Sequence, residues 1–119
     1  MTEFTKAVVK VIRAIPKGKI ASYSQVAELA GRPGASRGVV WILNSSSEEY
    51  ELPWHRVLRA SGEIAFRKGS THFRLQKRML EKEGVLVAKD GSIDIEEFGW
   101  KKKPRQKRAR KSTPSMFRR

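Results

Sequence analysis

The residues best suited to act on another molecule are an aromatic pair, Trp54-His55, and a single long cation, Arg37, set among small neighbours. The pair lies in Leu52-Pro53-Trp54-His55-Arg56-Val57. Its proline lacks a backbone donor and disfavours helix in the residue before it, so the run reads as a turned or extended stretch feeding a strand at Val57-Leu58. Histidine is the usual general base near neutral pH, but a base needs something to activate. The chain contains no cysteine, which excludes a thiolate nucleophile, a disulfide and cysteine-ligated zinc. The Trp54 indole is a weak nucleophile, and the other histidine, His72, stands alone in the sequence. No carboxylate pair, metal-ligand spacing or phosphate-cradling glycine loop is visible. The residues point away from an enzyme, with no metal and no cofactor expected.

The elements that must position these residues can be read from periodicity. Phe4, Ala7, Val8, Val11, Ile12 and Ile15 recur at helical spacing, predicting an amphipathic helix over 3–14. Pro16-Lys17-Gly18-Lys19 breaks it. Ser22, with Gln25 three residues on, is a capping-box start for a short second helix over 24–30, and Gly31 stops it. A third helix is expected over 35–44, then a polar loop (44–51) whose three glutamates should face away from any phosphate. Two short helices joined by a glycine-containing turn make a helix-turn-helix, whose second helix presents its early residues, here Ala35, Ser36, Arg37 and Gly38, to a DNA groove. Small Ser36 and Gly38 would let the backbone approach closely. Helical pairs in enzymes give the same pattern, so spacing alone leaves DNA binding open.

Beyond Val57-Leu58, a turn and the returning segment Glu63-Ile64-Ala65-Phe66 predict a small β-hairpin. A fourth helix follows, capped by Thr71 and running to Glu83 before Gly84, and then a terminal hairpin around Lys89-Asp90-Gly91. Phe98 and Trp100 are expected to dock that end. The fold expected is therefore mainly α with a small β-hairpin, in one domain over 1–100.

Charge is the strongest global signal: 26 Lys and Arg against 12 Asp and Glu, a net of +14. Lys101, Lys102, Lys103, Arg105, Lys107, Arg108, Arg110 and Lys111 crowd a terminal stretch, 101–119, that has no acidic residue. Such a stretch is expected to be disordered when free and to contact the phosphates of nucleic acid nonspecifically. A purely solubilising tail is the alternative. No apolar run approaches the roughly 18 residues of a membrane span, and the first residues carry no signal-peptide pattern, so no membrane partner is expected.

Pro53-Trp54-His55-Arg56-Val57 resembles the Pro-Cys-His-Arg-Val signature of the O6-alkylguanine DNA alkyltransferases, with Trp54 where those enzymes carry the acceptor cysteine. That replacement marks the alkyltransferase-like proteins. The upstream run Ile15-Pro16-Lys17-Gly18-Lys19 and Ala21-Ser22-Tyr23-Ser24-Gln25-Val26-Ala27 is similar to the family's approach to its recognition helix. The resemblance spans roughly 3–100 and implies the family's C-terminal-domain fold, with a winged-helix-like helix-turn-helix. It implies that Tyr23 rotates the target nucleotide's phosphate and that Arg37 is the finger filling the vacated stack from the minor groove. Packing tyrosine and solvated arginine are the alternatives on residue type alone.

By the same resemblance His55 and Glu83 match the family's hydrogen-bonded histidine and glutamate, here read as scaffold because the acceptor is missing. Trp54 would wall a base-sized pocket, with core packing as its alternative. Arg67 would stack on the flipped base, with a phosphate contact beside Lys68 as its alternative. Val40 and Trp41 depart from the family's small residues after the finger, either packing inward or altering the approach to DNA.

The function implied is a sensor that binds O6-alkylguanine in double-stranded DNA, flips the base without dealkylating it, and marks the lesion for nucleotide excision repair proteins. It is expected to act as a monomer in the cytoplasm, at the nucleoid if bacterial, or in the nucleus if eukaryotic. The rival reading is a helix-turn-helix transcription regulator or architectural DNA-binding protein, which would prefer an unmodified sequence.

Overall fold

The computed structural model describes residues 2–102, and the sequence periodicity carries over into its first helix, α1 (Glu3–Ala14). Thr2 caps α1 by accepting from the Thr5 N–H, and Val8, Val9 and Ile12 are buried on one face. Strand β1 (Ala21–Ser22) leads into α2 (Tyr23–Leu29). Ser22 Oγ accepts from Gln25 N at 3.0 Å, as the capping pattern predicts. The reciprocal arm of the box is not made. The Gln25 amide instead donates to the carbonyls of Trp100 (2.9 Å) and Lys102 (3.0 Å), tying the end of the described chain to α2.

Helix α3 (Ser36–Tyr50) is longer than expected and absorbs most of the predicted polar loop. Serine opposes helix because its hydroxyl competes for backbone groups, but here the competition is resolved inside the helix. Ser45 and Ser47 donate back to the carbonyls of Trp41 (2.8 Å) and Leu43 (2.5 Å). The Arg13 guanidinium donates to the Tyr50 carbonyl at 2.7 Å, covering one of the acceptors left open at the helix end. Glu51 then turns the chain at φ 52°, a left-handed conformation that is uncommon outside glycine.

A single 3-10 turn, Trp54–Arg56, feeds β2 (Val57–Leu58). The expected hairpin is corrected here. Strand β2 pairs in parallel with β1, Ala21 opposite Val57 and Ser22 opposite Leu58, while Glu63 bridges Ser92. A parallel pair needs a long crossover, and the helix-turn-helix itself supplies it. Side chains alternate across a strand, so Ala21 and Val57 enter the core formed with α1, α2 and α3. Ile20 and Leu58 enter a second core with Ile64, Phe73, Leu80, Val85 and Ile93.

Helix α4 (Thr71–Lys82) is capped by Ser70, not Thr71: Ser70 Oγ accepts from Phe73 N at 3.2 Å. Gly84, at φ +90°, ends it. The second expected hairpin forms no strands. A turn around Asp90-Gly91 is closed by Ala88 N to Ser92 O (2.9 Å), and α5 (Ile95–Phe98) follows. Trp100 N donates to Ile20 O at 2.7 Å, and Phe98 and Trp100 pack on the second and first cores respectively.

Candidate nucleic-acid interface and cleft

The 3-10 turn places neighbouring residues in different surroundings. Trp54 is half-buried and lines a cleft of about 770 Å³, whereas His55 is 6% exposed and faces inward. His55 Nε2 lies 2.9 Å from Glu83 Oε2, so Nε2 carries the hydrogen and the carboxylate accepts it. Nδ1 is buried with no hydrogen-bond partner among the described residues. Arg56 donates through Nη2 to Glu83 Oε2 (2.6 Å), through Nε to Oε1 (3.0 Å) and through Nη1 to the Ile15 carbonyl (2.9 Å). Gly18 N adds a 3.3 Å bond to Glu83 Oε1. Burial alone would raise the Glu83 pKa, but the bonds from Arg56, His55 and Gly18, with the charge of His55, outweigh it and hold the group at about 2. The carboxylate therefore gathers the end of α1, the turn after it, the 3-10 turn and the end of α4.

Buried Gln76 joins α4 to the same turn, its amide donating to the carbonyls of His55 (2.9 Å) and Val57 (3.3 Å). The sequence reading missed it. The available signal was a polar residue within the buried stripe Phe73, Gln76, Leu80 of α4.

One cleft wall is aromatic. The Trp54 ring meets Phe66 edge-on at 6.0 Å and His72 at 6.5 Å, and Phe66 stacks on His72 at 5.1 Å. His72, isolated in the sequence, is thus part of the wall, as is Phe66, which the sequence reading assigned to a strand. Tyr23 also lines the cleft, from the first turn of α2; burial pushes its phenol pKa up, while Arg59 opposes the shift. Helix α3 borders the cleft from Val40 through Asn44, Ser45 and Glu48 to Glu51 after its end. Glu48 and Glu51, expected to face away, border the cleft because their segment is helix and its end. Among the described residues, no Lys or Arg lines the cleft.

Arg67 does not line the cleft. It is exposed beside Phe66, which takes the inward position, and its carbonyl accepts from Ser70 N at 3.0 Å. Arg37 is exposed on the first turn of α3 and Ser36 is partly buried beside it. Ala35, the residue before them, offers no side-chain cap, leaving the first amides of the helix without a side-chain acceptor. Gly38 is partly buried, and a Cβ there would lie 3.0 Å from the Phe4 ring, so its smallness also serves the packing of α3 on α1. Val40 lines the cleft, and Trp41 does not pack inward but stands 68% exposed. Lys101 and Lys102 are exposed; Lys103, Arg105, Lys107, Arg108, Arg110 and Lys111 lie outside the described residues.

A model of the 6-O-methylguanine DNA methyltransferase DNA-binding domain matches residues 3–85. A Vibrio parahaemolyticus protein named DNA base-flipping protein is 39% identical over 100 residues, covering 84% of this chain and 98% of its own. Alkyltransferase-like protein 1 of Schizosaccharomyces pombe is 32% identical over 105 residues, covering 85% and 97%. Among solved structures, S. pombe Atl1 in complex with damaged DNA containing O6-carboxymethylguanine superposes with a TM-score of 0.74 at 33% identity, covering 86% of this chain and 98% of that one.

Proposed function

The chain belongs to the alkyltransferase-like branch of the 6-O-methylguanine DNA methyltransferase DNA-binding family, and on that premise we propose that it senses O6-alkylguanine in duplex DNA without repairing it. The observation that carries this reading is Trp54. It stands where the family's transferases hold their nucleophile, it walls the cleft, and the chain has no cysteine to accept an alkyl group. The relatives' printed names support it: one is a base-flipping protein, and another was solved on DNA carrying an O6-alkylated guanine.

In this reading α3 enters the minor groove. Arg37 fills the gap left in the stack, and Tyr23 turns the backbone of the flipped nucleotide. The base enters between Tyr23 and the Trp54–Phe66–His72 wall, which supplies flat apolar contact without a reactive atom. An O6-alkyl chain would extend along the rim of α3. Arg67 reaches the base only by swinging from its exposed position. His55, Arg56 and Glu83 hold the turn that presents Trp54, and perform no proton transfer. The complex then marks the lesion for nucleotide excision repair proteins. The protein acts as a monomer wherever its DNA resides, and the basic terminal stretch adds phosphate contacts of no sequence preference.

The test compares matched duplexes carrying guanine or O6-methylguanine at one position, at a stated salt concentration. Tighter binding to the lesion, with no methyl added to the protein by intact mass, is the expected result. A methylated protein would overturn the non-enzymatic reading, and equal affinities would overturn lesion sensing.

A further inference from the structure

Helix periodicity puts Arg37, Val40, Trp41 and Asn44 on one side of α3. Val40 and Asn44 line the cleft, while Arg37 and Trp41 lie on the exposed part of that side, four residues and therefore about 6 Å apart along the axis. Trp41 joins neither core, and 68% of it is exposed. An indole left in water on a helix whose other large apolar residues are buried has an unmet partner. Its backbone is held in place, because the Trp41 carbonyl accepts from Ser45 Oγ at 2.8 Å.

We propose that Trp41 is a groove wedge: its indole presses against the deoxyriboses and base edges of the minor groove one helical turn from Arg37, bending the duplex there. This rests on the reading that α3 enters the groove. The choice of DNA as occupant follows from position and charge. The residue shares its exposed side with Arg37, and residues 1–100, without the basic terminal stretch, still carry 16 Lys and Arg against 12 Asp and Glu. With base steps about 3.4 Å apart along a strand, the spacing to Arg37 sets the indole within about two steps of the vacated site. Flat apolar side chains inserted at such steps unstack and kink DNA, and an indole has the area to do so. Because the wedge touches sugars and groove walls and not the flipped base, it acts on damaged and intact duplexes alike.

Trp41→Ala and Trp41→Phe, each checked for fold by circular dichroism, are compared with wild type on guanine and O6-methylguanine duplexes labelled at both ends for energy transfer. Trp41→Ala should weaken binding to both duplexes by the same factor, about tenfold, as loss of an aromatic stacking contact does. It should leave the slope of log affinity against log salt unchanged, since no counterion-releasing charge is lost. End-to-end energy transfer in the complex should fall, and Trp41→Phe should restore most of both effects. Binding within twofold of wild type on both duplexes with unchanged energy transfer overturns the wedge. So does a loss confined to the lesion duplex, which would place the indole in the pocket. Failure of the lesion reading is separately visible, as equal wild-type affinity for the two duplexes.

Discussion

Replacing Glu83 with glutamine keeps its shape and removes its charge, testing whether the His55–Arg56–Glu83 cluster is a brace. In the folded protein the carboxyl sits at about 2 against an ordinary 4.5. A depressed carboxylate stabilises the fold fully above its ordinary value, and that stability is lost as pH falls through the folded one. At about 1.4 kcal/mol per pH unit, the gap gives about 3–4 kcal/mol. The cluster opens to solvent on one side, with Arg56 17% and Glu83 10% exposed, and screening lowers this to about 2 kcal/mol. Glutamine also leaves a largely buried guanidinium without its anion, a change that costs about 3 kcal/mol in well-buried pairs.

Urea unfolding at pH 7 should therefore show Glu83→Gln destabilised by about 2–3 kcal/mol. The difference from wild type should shrink between pH 4.5 and about 2, as wild type loses the same contribution. Because Glu83 does not line the cleft, the ratio of affinities for O6-methylguanine and guanine duplexes should stay at the wild-type value. A variant as stable as wild type at pH 7, or a difference that does not change with acid, refutes the brace. A changed affinity ratio at unchanged stability would mean that the carboxylate still acts on the base.

Three other outcomes follow from the same geometry. Tyr23→Ala and Arg37→Ala should each weaken lesion binding with the fold intact, and a fluorescent base analogue at the target position should brighten less with Arg37→Ala than with wild type. Truncation after Lys102 should flatten the salt dependence, each lost phosphate contact removing about 0.9 from the slope, and weaken lesion and plain DNA by similar factors. Arg67→Ala should instead reduce lesion preference and move the slope by at most about one; the reverse pattern would place discrimination in the terminal stretch. Finally, Glu48→Gln and Glu51→Gln should raise affinity for an O6-carboxymethyl lesion relative to O6-methyl, since both carboxylates border the cleft and no cation among the described lining residues offsets them. An unchanged ratio would show that the adduct does not run along the rim of α3.

What the sequence determined is what local chemistry determines. The apolar period of 3–14, the Ser22 cap, the glycine stops at 31 and 84, and the proline entry to Trp54-His55 each act within a few residues, and the structure keeps them. The missing cysteine needs no coordinates at all. What only the tertiary structure decided depends on contacts between distant segments. Strand β2 looked ready to pair with the chain after it and pairs with Ala21–Ser22 instead, which brings Val57 to Ala21 in one core while Leu58 joins Ile20 in the other. Helix α3 runs through three serines because its own carbonyls accept from the hydroxyls of Ser45 and Ser47 and Arg13 covers its end. The cleft wall of Trp54, Phe66 and His72 joins a turn, a loop and the start of α4, and no local period marks it. Arg67 and Trp41 carry the same lesson. A residue type states what a side chain can do; whether it faces a core, a cleft or the outside is set by what packs behind it, and here that sent Phe66 inward, Arg67 outward and Trp41 into the open.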